Sequence, residues 1–218
     1  MDRVREAELM DDEAQSIAYA NADFSTSNQM FVDGLLRDFP AHLRTVVDLG
    51  CGPADVDIRL ARAAPAIGIT AVDGSQPMIA LAGRAVRDAG LEDRIALLHG
   101  VVPGLPLFAH AFDAVLSKDL LHHLPDSSVL WSEISRLGRS GGAVYVMDLV
   151  RPATSEAAHR IVDAVAGTEA LILRQDFFNS LCAAFTVEEV GGQLRAAGLD
   201  LQVAQVSDRH MLIQGLLR

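Results

Sequence analysis

Lysine is nearly absent from this chain of 218 residues: Lys118 is the only one, and 29 acidic residues outweigh 18 basic ones for a formal net charge of −11. No run of arginines makes up for it. A nucleic-acid binder carries a basic stripe, and a polyanion would be repelled by this overall field. Nucleic acid and anionic membrane surfaces are therefore not expected as partners, and a neutral or cationic small molecule is easier to hold. Cysteine is also scarce. Cys51 and Cys182 are too few for a disulfide framework, and Cys51, inside a glycine-rich turn, has no cationic setting nearby of the kind a reactive thiol needs. No apolar run approaches the roughly 20 residues that span a bilayer. The opening segment "MDRVREAELMDDEAQ" is polar and acidic, unlike a secretory signal. These absences lead to the expectation of a soluble, cytoplasmic protein.

What is present is apolar and patterned. Half the residues are hydrophobic and 22% are charged, which suits a globular chain with a large core. Residues 1–40 read as helical, closed by Pro40. From residue 44 the pattern alternates. Strands are expected at 45–50, 68–73, 94–100, 112–118 and 141–150, with helices at 54–64, 75–89 and 126–139. Such alternation predicts a parallel sheet with helices on both faces. Residues 153–183 form an Ala-rich helical insert. Thr186 and Glu189 match a capping box that opens a helix, which Gly198 ends. Two further strands at 201–206 and 210–217 complete an antiparallel edge hairpin.

Three segments carry chemistry. In "VVDLGCGPAD" (46–55) a strand ends at Asp48, and Gly50 and Gly52 turn the chain into a helix. Glycine tolerates positive φ and lets a ligand approach the backbone. A dinucleotide fingerprint would place a third glycine at position 55; Asp55 stands there instead and would repel a pyrophosphate. In "ITAVDGSQPMI", Asp73 ends the second strand, where a carboxylate can accept both ribose hydroxyls of a nucleoside. Ser75 follows as a helix cap. In "FDAVLSKDLLHHLPD" (112–126), a strand ends near Ser117 and a loop with two histidines lies at the same edge.

Together with "SRLGRSGGAVYVMDLVRP", these segments resemble the successive motifs of class I S-adenosylmethionine (SAM)-dependent methyltransferases, in order and spacing over residues 41–150. The segment "FTVEEVGGQLRAAGLDLQVAQVSDRH" is similar to the family's last helix and hairpin. The resemblance implies a Rossmann-like seven-stranded sheet of order 3-2-1-4-5-7-6 with strand 7 antiparallel. It also implies SAM as cofactor and S-adenosylhomocysteine (SAH) as product. Asp48, Gly50 and Gly52, with Cys51 in the same turn, would hold the methionine part. Asp73 and Gly74 would hold the ribose, and Met78 would pack on the adenine. Ser117 and Lys118 would contact the amino-acid end. Two positions depart from the pattern. Val101 and Val102 follow Gly100, where the family often has an Asp that bonds the adenine, and Ala54 stands where a third glycine is common, read as a mild change. Val101 is the ground for an alternative reading, a SAM-binding protein of this fold without catalysis.

Methyl transfer is an in-line displacement, so the protein mostly aligns the acceptor, and a base is needed only when the acceptor loses a proton. His122, His123 and Asp119 are candidates for that role by position. Asp148 stands at the same edge as a candidate acceptor contact. Arg151 and Arg209 are candidates for an acceptor carboxylate, and His210 closes the turn that begins at Ser207, at the same edge. Residues 1–40 and the insert at 153–183 are expected to form a lid on the methyltransferase domain of 41–218, with Tyr19, Phe24, Phe177 and Phe178 lining it. No metal site is expected, because adjacent histidines suit one cation poorly and no H-x3-H spacing exists.

Overall fold

The structure is a computed structural model that describes residues 1–6, 12–40 and 43–218. Seven strands make one sheet in the order β3-β2-β1-β4-β5-β7-β6. They are β1 (Thr45–Leu49), β2 (Gly68–Asp73), β3 (Ile95–His99), β4 (Phe112–Lys118), β5 (Gly138–Leu149), β6 (Gln202–Gln205) and β7 (His210–Leu216). Strands β1 to β5 are parallel, and β7 runs antiparallel to both β5 and β6. This is the sheet that the resemblance implies. Central β4 is buried along all seven residues, as expected of a parallel strand covered on both faces.

Helices α1 (Glu13–Asn21), α2 (Ser25–Asp38), α3 (Asp55–Ala63), α4 (Gln76–Asp88), α5 (Ser128–Leu137), α6 (Ser155–Ala166), α7 (Leu171–Ala183) and α8 (Val187–Ala196) surround the sheet. Their starts follow local chemistry. The Ser75 hydroxyl accepts from the Met78 N–H at 3.3 Å, and Pro77 sits in the first turn of α4, where its missing N–H costs nothing. In α8 both bonds of the Thr186–Glu189 capping box are made, at 2.8 and 3.2 Å. Two apolar cores result. Phe31, Leu35, Val46 and Ile58 share one face; Trp131, Leu130, Ile134 and Val190 share the other. Trp131 is 1% exposed, and its indole N–H donates to Gln193 Oε1 at 3.0 Å. One side chain thus fastens α5 to α8, and its burial contributes about 3 kcal/mol.

One boundary differs from the sequence reading. Residues 1–6 are not helical but extend irregularly. They lie against the far end of α7, where the Val4 N–H donates to the Cys182 carbonyl at 3.0 Å and Arg3 Nε donates to the Ala183 carbonyl at 2.5 Å. Tertiary partners more than 170 residues away set this segment, so no local periodicity announces it. No helix of the described residues is long and apolar enough to cross a membrane.

Candidate active site

The site grows from the bend after β1. Gly50 has φ +81° and Gly52 φ +53°, values that glycine adopts without penalty. A Cβ on Gly50 would also come within 3.0 Å of the Leu120 side chain. The N–H groups of Gly50 and Cys51 both donate to the Val72 carbonyl, at 2.8 and 2.9 Å, and the Gly52 N–H donates to Asp73 Oδ2 at 2.8 Å. The other Asp73 oxygen accepts from the Ser75 N–H at 2.8 Å. Asp73 therefore ties the glycine turn to the start of α4. Ala54 next to it is left-handed, at φ +66°. For a residue with a Cβ this costs roughly 1–2 kcal/mol, so the missing third glycine is not the mild change that the sequence suggests.

Beside this bend lies a cavity of about 430 Å³, within the roughly 300–1,000 Å³ of small-molecule sites. Asp48, Gly50, Cys51 and Gly52 of the bend, Lys118 and Asp119 after β4, and Tyr19, Phe24 and Asn28 from the N-terminal helices line it. Asp73 reaches it through Gly52, one hydrogen bond away. Five carboxylates (Asp23, Asp48, Asp55, Asp88, Asp119) face three cations (Arg59, Arg84, Lys118) in the lining, an excess that favours a cationic ligand.

The buried charges are poised rather than quenched. Asp48 is 2% exposed, and its Oδ1 has no hydrogen-bond partner. Burial, then the neighbouring Asp73, pushes its pKa up to about 7 against the pull of Lys118. Asp57, in the first turn of α3, is fully buried with neither oxygen partnered. Burial and then the Asp48 charge push its pKa well up. Asp119 has a left-handed backbone, φ +58°, and an unpartnered, buried Oδ1. Burial raises its pKa, but Lys118, which pairs with it, together with His210 and His122 holds it below the ordinary value. Backbone in this region persists only when the surroundings enforce it, and it clusters at functional sites. The Tyr19 hydroxyl, buried and close to the charges of Asp119 and Asp73, has its pKa raised.

The remaining expected site residues separate into two groups. His122 is buried, and its Nδ1 meets Asp148 Oδ1 at 2.7 Å. Burial opposes its charge, but Asp148 prevails and holds its pKa above the ordinary value. The other Asp148 oxygen accepts from the Leu121 N–H at 2.7 Å, so this carboxylate organises the whole loop after β4. His210, 5% exposed, meets the Ser207 hydroxyl at 3.0 Å; burial lowers its pKa despite nearby Asp119. Ser117 Oγ donates to the Leu49 carbonyl at 2.8 Å, joining β4 to β1.

Arg151 is not brought to the cavity. Its guanidinium donates to the carbonyls of Met1 and Ala184 and to Glu189 Oε1, at 3.1, 2.9 and 2.7 Å, which leaves it spent on structure. Arg209 pairs with Asp208 at 2.7 Å and is absent from the lining. Val101 is 55% exposed, Val102 packs at the rim of the second core, and neither lines the cavity. Met78 is 3% exposed at the start of α4. Phe177 and Phe178 pack instead with Leu149, Val162 and Leu181. Asn28, Asp55, Asp57 and Glu6 are site or near-site residues that the sequence reading missed. Asn28 Nδ2 donates to Asp55 Oδ2 at 2.8 Å and Arg59 Nε donates to the same oxygen at 2.6 Å, a link from α2 to α3. The polar Asn on an apolar helix face was the available signal for it.

Comparison with known proteins agrees with this geometry. Residues 46–142 match the family model described as "Methyltransferase domain". Among characterised relatives, 27-O-demethylrifamycin SV methyltransferase of Amycolatopsis mediterranei is 27% identical over 161 residues, 73% of this chain and 55% of that protein. Demethylmenaquinone methyltransferase of Bacillus subtilis is 35% identical over 107 residues, 49% of this chain and 46% of that protein. The chain thus spans about half the length of these relatives. A putative S-adenosyl-L-methionine-dependent methyltransferase from Methanococcus maripaludis superposes with a TM-score of 0.77 at 19% identity, covering 99% of this chain and 98% of that one. The plantazolicin methyltransferase BpumL, solved with SAH, superposes at 0.68 and 13% identity, covering 94% and 90%. The glycine bend, the acid that ends β2 and the strand order agree with these likenesses: residues 46–142 match a methyltransferase domain, and the chain has the fold of the SAM-dependent methyltransferases that superpose on it.

Proposed function

We propose that the protein transfers a methyl group from SAM to a small-molecule acceptor, and that it does so in the cytoplasm. The observation that carries this reading is the acidic cavity at the Gly50–Gly52 bend, into which the unpartnered oxygen of Asp48 is built. The residues present fit the cofactor: a cationic sulfonium and ammonium suit a lining rich in carboxylates, and Asp73 stands beside the bend, where the ribose belongs. SAM, when bound, supplies an activated methyl group. The chain's own groups bind and align. Asp48 would accept from the amino-acid end, Asp73 would hold the sugar, and Tyr19 and Phe24 in the lining would exclude water.

On the acceptor side we assign the leading role to Asp119. Of His122, His123 and Asp119, it alone lines the cavity. It is ionised at neutral pH, because Lys118, His210 and His122 together hold its pKa low against burial. Its unpartnered oxygen therefore accepts a hydrogen bond from the acceptor and fixes the attacking atom in line. His122 and Asp148 act as a positioning pair that holds the loop carrying Asp119. Helices α1 and α2 serve as the lid: α1 reaches α7 through Gln15 Nε2, which donates to Asp176 Oδ2 at 2.9 Å, and α2 reaches α3 through Asn28. The small-molecule acceptor is supported by relatives whose names specify a rifamycin and a menaquinone precursor, and by a net charge of −11 that disfavours nucleic acid. The reading without catalysis rested on Val101. That side chain lies outside the cavity, and nothing in the site favours it.

The test is SAH formation from SAM with a panel of phenolic, hydroxylated and amine acceptors. The wild type is expected to turn over at least one class. Asp119→Asn, which keeps a residue tolerant of left-handed backbone, is expected to lower kcat by about 10²-fold while the SAM dissociation constant moves less than threefold. Unchanged kcat for the variant would remove Asp119 from the chemistry, and binding of SAM with no turnover of any class would count against the activity.

A further inference from the structure

The irregular residues 1–6 bring a carboxylate to the two histidines after β4. Glu6 Oε2 lies 2.5 Å from His123 Nδ1, and the ligand atoms of Glu6, His122 and His123 all fall within 4.8 Å of one another. The imidazoles of the two histidines stand 4.0 Å apart, tilted by 38°. Read from the sequence, adjacent histidines suit one cation poorly. The fold changes that, because the 3-10 turn at Leu121–His123 lets both rings meet one carboxylate from a distant segment.

The surroundings are those of a built site. His122 Nδ1 is engaged by Asp148 at 2.7 Å, so Nε2 is the ring nitrogen left for a ligand role, in the carboxylate–histidine arrangement that orients metal ligands. Glu6 is fixed in turn: its Oε1 accepts from the Ser180 hydroxyl at 2.7 Å. Its segment is anchored by Arg3, which lies 3.9 Å over the Phe185 ring and donates from Nη2 to the His122 carbonyl at 3.0 Å. The three side chains are shielded without being sealed, with His122 2%, Glu6 15% and His123 27% exposed. A Glu6–His123 ion pair would account for two of these groups. It would not account for the convergence of His122, already satisfied by Asp148, on the same point.

We propose that Glu6, His122 and His123 bind one divalent cation of the zinc class. Two imidazoles and one carboxylate form a three-ligand set for such a cation, with a fourth position left for water, and soft thiolates are not required. The cation fastens residues 1–6 to the loop after β4, and so clamps the N-terminal segment beside Asp119. This inference goes beyond the methyltransferase reading and does not depend on it.

The test uses the full chain without SAM. Titration with Co²⁺ is expected to give visible d–d absorption that saturates at one equivalent and is displaced by Zn²⁺. Glu6→Gln and His123→Asn, both at partly exposed positions, are each expected to weaken Zn²⁺ binding at least tenfold while circular dichroism stays unchanged. Hydrogen exchange at the Val4 amide, which donates to the Cys182 carbonyl, is expected to slow on adding Zn²⁺ in the wild type and not in the variants. No stoichiometric binding, or absorption that survives both substitutions, would overturn the site. Unchanged exchange at Val4 would overturn the clamp. Titration of the same samples with SAM, read separately, distinguishes failure of this site from failure of the cofactor reading.

Discussion

The proposed cofactor side of this cavity and the loop after β4 beside it are built in opposite ways. The cofactor side is a local device: Asp48, Gly50, Gly52 and Asp73 fall within 26 residues, on two adjacent strands and their turns. The surroundings of the loop after β4 are assembled from distance. Asp148 on β5 holds His122 after β4, Tyr19 arrives from α1, and Glu6 meets His123 from the far end of the chain. A local device is set by a short stretch of sequence, whereas an assembled one depends on how distant segments pack. The first can be read from spacing alone; the second exists only once the chain has folded.

The comparison breaks most sharply at Asp73. Asp73→Ala removes the acceptor of the Gly52 and Ser75 N–H bonds and the carboxylate meant for the ribose. A lost charge-assisted bond is worth about 1.5–3 kcal/mol, so the SAM and SAH dissociation constants are expected to rise about 10–100-fold by calorimetry, with the circular dichroism spectrum retained. Unchanged affinity in a folded variant would move the ribose elsewhere.

A smaller effect concerns pH. With its pKa near 7, Asp48 is partly protonated in the free protein, and a cationic ligand favours its ionised form. SAM affinity is therefore expected to rise with pH between about 5 and 7, by at most about tenfold per unit for one proton released. Asp48→Asn is expected to flatten that slope. A slope that persists in the variant would assign it to another group.

The smallest effect sharpens the picture of the buried acids. Asp57 has its folded pKa raised, so its stability contribution is complete below the ordinary carboxyl range near 3.9 and is lost as pH rises toward the folded value. Asp57→Asn removes that loss. Its melting temperature is expected to exceed the wild type's at pH 8 by about 2–4 °C, the response of a chain this size to 1 kcal/mol, and by less at pH 5. A lower melting temperature at pH 8 would mean that the carboxylate is ionised and partnered.

These contrasts also mark what the sequence disclosed. The strands could be read because each is a short apolar run between turn residues; β2 and β4 begin and end where the pattern places them. The strand order came with the motif resemblance and not from periodicity, which is silent on which strands are neighbours. The glycine bend and Asp73 were legible because their spacing is itself the signal. Residues 1–6 were misread as helix because what holds them is α7 and the loop after β4, beyond any local window. Arg151 looked available at a strand end, yet carbonyls from two other segments use up its donors. No motif marks Asp57 in the sequence, and only its closeness to Asp48 in the fold reveals it as a buried acid.

The account stands or falls on the occupant of the bend at Gly50–Gly52. Calorimetric titration of the wild-type chain with SAM, SAH and NAD measures it directly. One saturable site for SAM and SAH per chain and none for NAD is expected. Saturable binding of NAD, or no heat from either sulfur nucleoside while the fold is intact, would contradict it.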